Sequence, residues 1–72
     1  MYTGYDISEG RIYGPQGYTL FRIRDGHIYG LKGYTLFYIR KGERLYGPKG
    51  YTGFYVTEGE HIYGPSKDLP WG

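Results

Sequence analysis

The stretch Tyr18-Thr-Leu-Phe-Arg-Ile-Arg-Asp-Gly-His-Ile-Tyr-Gly30 recurs with variations four times, and this repetition limits the fold more than any other feature. The copies begin at Tyr2, Tyr18, Tyr34 and Tyr51, a period of 16 or 17 residues. Their second halves carry Ile12-Tyr13-Gly14, Ile28-Tyr29-Gly30, Leu45-Tyr46-Gly47 and Ile62-Tyr63-Gly64. A fixed period this short means one supersecondary unit per repeat.

The unit reads as a β-hairpin. In the second copy Thr19, Phe21 and Ile23 alternate with Tyr18, Leu20, Arg22 and Arg24, which is the two-residue period of a strand. Asp25-Gly26 follows, a strong signal for a tight turn whose central residues both need positive φ. The first copy has Glu9-Gly10 at this place. The third and fourth have Lys41-Gly42-Glu43 and Glu58-Gly59-Glu60, one residue longer, which predicts a bulged turn with glycine in the left-handed region. Between hairpins lie Gly14-Pro15-Gln16-Gly17, Gly30-Leu31-Lys32-Gly33 and Gly47-Pro48-Lys49-Gly50, composed as reverse turns. The expectation is all-β: four tandem hairpins forming an eight-stranded antiparallel meander. Its strands fall near 2–7, 11–13, 18–24, 27–29, 34–40, 44–46, 51–57 and 61–63.

Opposed residues of an antiparallel pair share a face. Placing Arg24 opposite His27 sets Ile23 against Ile28 and Arg22 against Tyr29. One face then carries three apolar rows. These are Tyr5, Phe21, Phe37, Phe54; Ile7, Ile23, Ile39, Val56; and Ile12, Ile28, Leu45, Ile62. Thr3, Thr19, Thr35 and Thr52 flank them. The other face pairs Tyr13 with Tyr18, Tyr29 with Tyr34, and Tyr46 with Tyr51. Tyr2 and Tyr63 are left over, and would pair if the sheet closed on itself or if two chains met edge to edge.

One flat sheet cannot bury the apolar face, because a domain needs two packed layers. A small closed barrel, a sheet completed by a homodimer, and a β-solenoid all meet that need. Short chains also gain from self-association when they lack disulfides, and this chain has 72 residues and no cysteine. Residues 1–64 make up the repeat domain. Residues 65–72 form an irregular tail, in which Leu69 and Trp71 could plug a barrel end, cover an edge or dock on a partner.

Composition narrows function more by exclusion than by assertion. The net charge of +2 permits an anionic partner without requiring one. No run is long enough to cross a membrane and no basic-apolar leader is present, so a cytoplasmic protein with no membrane partner is expected. The two serines, Ser8 and Ser66, lack a nucleophile-elbow context. His27 and His61 alternate with Arg11 and Arg44 at equivalent places beside turns, as solvated outer positions do. No enzyme activity, cofactor or metal is expected.

The outer face is the candidate site. Tyr13, Tyr18, Tyr29, Tyr34, Tyr46 and Tyr51 interleave with Arg22, Arg24, Arg40 and Arg44, accompanied by Arg11 and by Lys32 and Lys49 in the connectors. Tyrosine and arginine are enriched at protein interfaces. They also stack on bases and hold phosphates in single-strand binding. Equally, cross-strand tyrosine pairs and Arg–Tyr contacts stabilise sheets without any ligand. The spacing in Tyr2-Thr3-Gly4 and Tyr51-Thr52-Gly53, with the hairpin repetition, resembles MORN repeats and aromatic cell-wall-binding repeats. Those families have longer units with further Gly or Trp positions, so the resemblance implies architecture alone. The expected function is a non-enzymatic module that binds a protein partner, self included. Single-stranded nucleic acid is the alternative and glycan the third choice.

Overall fold

Each copy forms a hairpin because a glycine turn separates two alternating runs. The structure, a computed structural model, describes residues 1–71. Its strands are β1 (Tyr2–Ser8), β2 (Arg11–Gly14), β3 (Gly17–Arg24), β4 (His27–Gly30), β5 (Gly33–Arg40), β6 (Arg44–Gly47), β7 (Gly50–Val56) and β8 (His61–Tyr63). They pair antiparallel in chain order, and β8 returns to β1, so the meander closes into a barrel. Of the three ways to bury the apolar face, closure within one chain is the one adopted. Within each hairpin the register is as expected, with Arg22 opposite Tyr29, Ile23 opposite Ile28 and Arg24 opposite His27.

The two-residue turns have positive φ at both central positions, 50° and 79° at Glu9-Gly10 and 51° and 79° at Asp25-Gly26. The longer turns depart from expectation. Gly42 is left-handed (φ 92°), but so is Glu43 (61°), and in the fourth copy the left-handed residue is Glu60 (62°) rather than Gly59. Glu43 N donates to Arg40 O at 2.9 Å and Glu60 N to Thr57 O at 2.8 Å. In a three-residue loop of this kind the left-handed place is the last one, and there the sequence supplies Glu.

Between hairpins the pairing contains a feature that alternation conceals. Tyr13 faces Tyr18 and Arg11 faces Arg22, so Thr19, Leu20 and Phe21 together stand opposite Ile12. The same two-residue bulge sets 35–37 against Ile28, 52–54 against Leu45, and 3–5 against Ile62 at the closing seam. The middle residues are left-handed: Gly4 (φ 90°), Leu20 (75°), Leu36 (76°) and Gly53 (88°). A bulge breaks the ladder, and the threonine mends it. Each Thr Oγ1 donates to the opposite carbonyl (Ile62, Ile12, Ile28 or Leu45) at 2.7–2.8 Å. Each also accepts the N–H two residues on (Tyr5, Phe21, Phe37 or Phe54) at 3.1–3.3 Å. Past the bulge the ladder resumes, with Ile23 N donating to Gly10 O and Ile39 N to Gly26 O, both at 2.6 Å.

The interior follows from these four joints. Ile12, Ile28, Leu45 and Ile62 form a fully buried central ring. Toward one end Tyr5, Phe21, Phe37 and Phe54 press closely on Gly14, Gly30, Gly47 and Gly64; a Cβ on Gly30 would stand 2.8 Å from the Phe21 ring. These glycines are required by the close approach of a ring, since their φ values are ordinary. The tail caps this end: Leu69 is buried and Trp71 packs edgewise on Phe21 and at a tilt on Phe37, centroids 5.9 Å apart in each case. Gly72 lies outside the described residues. At the hairpin-turn end Ile7, Ile23, Ile39 and Val56 floor an open depression of about 810 Å³, rimmed by Arg40, Lys41, Glu43, Glu58 and Glu60.

Replacing Thr35 by Val keeps the side-chain shape and strands both Ile28 O and Phe37 N. Leaving a fully buried backbone group unpaired costs about 1–3 kcal/mol; both bonds here are part-buried, so the variant is expected to lose about 1 kcal/mol, the lower end of that range. Urea unfolding should show a lower midpoint at unchanged slope; an unchanged midpoint would mean that the threonine bridge is dispensable.

Candidate functional site

The bulges and the closure set ten of the eleven tyrosines on the outside, while Tyr5 packs against the core. The expected pairs form, with ring centroids 5.4 Å apart for Tyr13–Tyr18 and Tyr29–Tyr34 and 5.5 Å for Tyr46–Tyr51. Closure supplies the fourth, Tyr2–Tyr63, also at 5.5 Å. Tyr38 stacks on Tyr46 and Tyr55 on Tyr63, at 5.9 and 5.8 Å. The rings thus form a belt around the barrel.

The arginines lie on these rings. Arg22 is over Tyr29 (5.9 Å), Arg40 over Tyr46 (5.1 Å), Arg44 over Tyr51 (5.8 Å) and Arg11 over Tyr18 (5.9 Å). Such contacts hold a guanidinium in place without neutralising it. Arg24 is set apart from these stacks, opposite His27 beside the Asp25-Gly26 turn. All five arginines sit on β2 to β6, and two pairs face each other directly, Arg11 with Arg22 and Arg40 with Arg44. Like charges in direct opposition are unfavourable. Among the described residues no arginine or lysine has a carboxylate within ion-pair distance.

Each tyrosine pair is completed by one cross-strand pair, and these pairs differ around the barrel. Beside Tyr13–Tyr18 it is Arg11 with Arg22, and beside Tyr29–Tyr34 it is His27 with Tyr38. Beside Tyr46–Tyr51 it is Arg44 with Tyr55, and beside Tyr2–Tyr63 it is His61 with Asp6. The last lies at the seam. His61 Nδ1 donates to Asp6 Oδ1 at 2.5 Å and the Tyr2 hydroxyl donates to the same oxygen at 2.6 Å. Both side chains of the ion pair are nearly half exposed, 49% for His61 and 42% for Asp6, so water screens it.

Three groups have shifted acidities. For Asp6, partial burial pushes the carboxyl up, but the hydrogen bonds from His61 and Tyr2, with the His61 charge, outweigh it and hold the carboxyl below its ordinary value. The Tyr2 hydroxyl is raised, chiefly by its bond to Asp6. Tyr34 is raised by burial among its neighbours, with Tyr38 and Tyr29 adding to the effect.

Sequence reasoning found the six tyrosines and four arginines of this face and left out Tyr38, Tyr55 and the Tyr2–Asp6–His61 cluster. Tyr38 and Tyr55 stand opposite Tyr46 and Tyr63 by the same hairpin register that sets Arg22 opposite Tyr29, whereas the seam cluster needs the register between repeats. Among the described residues no group of three or more His, Cys, Asp or Glu could hold a metal ion, and no helix is long and apolar enough to cross a membrane.

A carboxyl held low stabilises the fold above its ordinary value of 3.8, and that contribution disappears as the pH falls through the depressed value. Between about pH 5 and pH 2 the parent should therefore lose more stability than Asp6→Asn, measured by urea unfolding at each pH. Parallel curves would show that the seam cluster contributes nothing.

No protein-family model matches the chain, and no curated protein or solved structure is significantly similar to it; its function is read from its own surface.

Proposed function

We propose that the chain is a non-enzymatic interaction module that holds a protein partner against its Tyr/Arg belt. One observation carries this reading: four guanidiniums lie on tyrosine rings, and none has a carboxylate partner among the described residues. Side chains ordered before binding lose less entropy on complex formation. Tyr and Arg anchors of this kind dominate binding energy where they are desolvated. The partner surface would carry carboxylates placed over β2 to β6. A second copy is one such partner, since Glu9, Glu43, Glu58 and Glu60 lie at its hairpin turns. Closure leaves no free strand edge, so self-association would use side chains instead of edge pairing.

Replacing Tyr29 and Tyr34 together by Ser should leave the barrel folded and abolish binding to a purified partner obtained by affinity capture. Binding that survives the double substitution sinks the proposal.

Single-stranded nucleic acid is the second reading, favoured by the two directly opposed arginine pairs, Arg11 with Arg22 and Arg40 with Arg44. Rings can stack bases while the directly opposed Arg11 and Arg22 hold phosphate. It predicts that a fluorescent oligonucleotide binds at low salt, with affinity falling linearly on a log–log plot against salt concentration. No binding at low salt excludes it.

A further inference from the structure

The four copies disagree at the bulge, and the disagreements converge on one place. The left-handed bulge residue is glycine in the first and fourth copies, Gly4 and Gly53, but leucine in the second and third, Leu20 and Leu36. A left-handed non-glycine residue costs about 1–2 kcal/mol, yet neither leucine recovers this by burial. Leu20 is 48% exposed and Leu36 is 56% exposed. The connector that follows has proline second in three copies, Pro15, Pro48 and Pro65, but leucine in the second, Leu31, which is 80% exposed.

These positions are neighbours. A Cβ on Gly4 would stand 3.3 Å from Pro15, and one on Gly53 would stand 3.4 Å from Pro65. By the same geometry Leu20 adjoins Leu31, with which it lines one hollow alongside Lys32 and Trp71, and Leu36 is the counterpart that adjoins Pro48. Met1, 64% exposed, is at this end too, where its amino group donates to Gly64 O. Strain retained without a packing return points to function, as do exposed aliphatic groups gathered at one place.

Charge gives this end a direction. The hairpin-turn end is close to balanced: Glu9, Asp25, Glu43, Glu58 and Glu60 stand there with Lys41 and with Arg11, Arg24, Arg40 and Arg44 at the flanking strand ends. The connector end carries Lys32, Lys49 and Lys67 against Asp68. Immediately behind the connectors stand Tyr18, Tyr34 and Tyr51, each partly exposed. From the tip inward the order is aliphatic side chains and lysines, then a ring of tyrosines, with all but two of the acids at the far end among the arginines. Aliphatic tips enter acyl chains, lysines meet lipid phosphates, and tyrosines prefer the headgroup level.

We propose that the connector end docks on an anionic lipid surface, with Leu20, Leu31 and Leu36 entering the bilayer and Lys32 and Lys49 meeting its phosphates. Separate protruding tips beside lysines suit a fluid surface that admits each one individually, and no membrane-crossing segment is needed. This goes beyond the protein-binding reading and shares with it only Tyr18, Tyr34 and Tyr51.

The test is co-sedimentation of the full chain with vesicles of phosphatidylcholine, with and without phosphatidylserine. The parent should sediment with the phosphatidylserine vesicles and be released at about 1 M salt, where screening is nearly complete. The triple variant Leu20→Gly, Leu31→Pro, Leu36→Gly restores the residues of the sister copies and removes strain, so its unfolding midpoint should equal or exceed the parent's. Its partitioning should fall about tenfold or more, given the apolar area withdrawn. Lys32→Glu with Lys49→Glu should abolish the preference for phosphatidylserine. Failure of the parent to sediment with either vesicle, or equal binding by the triple variant, overturns the proposal. So does a parent that ignores vesicles and a triple variant of lower mass by light scattering, which would assign the leucines to a second copy.

Discussion

The threonine hydroxyl at each bulge is the interaction on which the barrel depends. Eight short strands close only if the sheet bends sharply, and the bulges concentrate that bend at four joints. Every joint leaves a carbonyl on one strand and an N–H on the next without a ladder partner. A hydroxyl that donates to one and accepts from the other repairs both, and threonine carries it on a β-branched side chain suited to a strand. At Thr3 the joint is buried, so water does not replace it. The close seating of each aromatic ring on a glycine follows, because the bend brings the ring down onto the neighbouring strand.

Much of this was legible in the alternation. The three apolar rows, the eight strands and the pairing of Tyr2 with Tyr63 on closure all follow from placing Ile23 opposite Ile28. The bulge was not legible, for a physical reason. A slip of one residue would turn a strand inside out, but a slip of two leaves every side chain on its face. The rows therefore survive an irregularity that moves Arg22 opposite Arg11 and His61 opposite Asp6. The seam cluster depends on that register, while Tyr38 and Tyr55 follow from the hairpin register that sets Arg22 opposite Tyr29. The left-handed Glu43 and Glu60 were hidden differently: the glycine beside them drew the assignment, while loop hydrogen bonding decided it.

The two sides of the sheet have different histories of variation. Inward positions differ only by Ile to Leu or Val and by Phe to Tyr at Tyr5, as a packed interior demands. Outward, the position beside each tyrosine pair ranges over two arginines, histidine with tyrosine, arginine with tyrosine, and histidine with aspartate. The fold constrains the first set and leaves the second free, so any recognition specificity resides in the decoration of a nearly four-fold frame.

The meeting of the first and last strands carries a consequence for topology. Met1 N bonds to Gly64 O, and Thr3 bridges to Ile62 as Thr19 bridges to Ile12. The seam is thus a fourth copy of a joint that elsewhere has a covalent connector running past it. The barrel has no privileged beginning. Circular permutation at any of the three connectors would ask the molecule for the same contacts in a different order. In folding, the hairpins and three of the joints are local, and one ring-closing event remains, whose entropy cost grows only slowly with chain length.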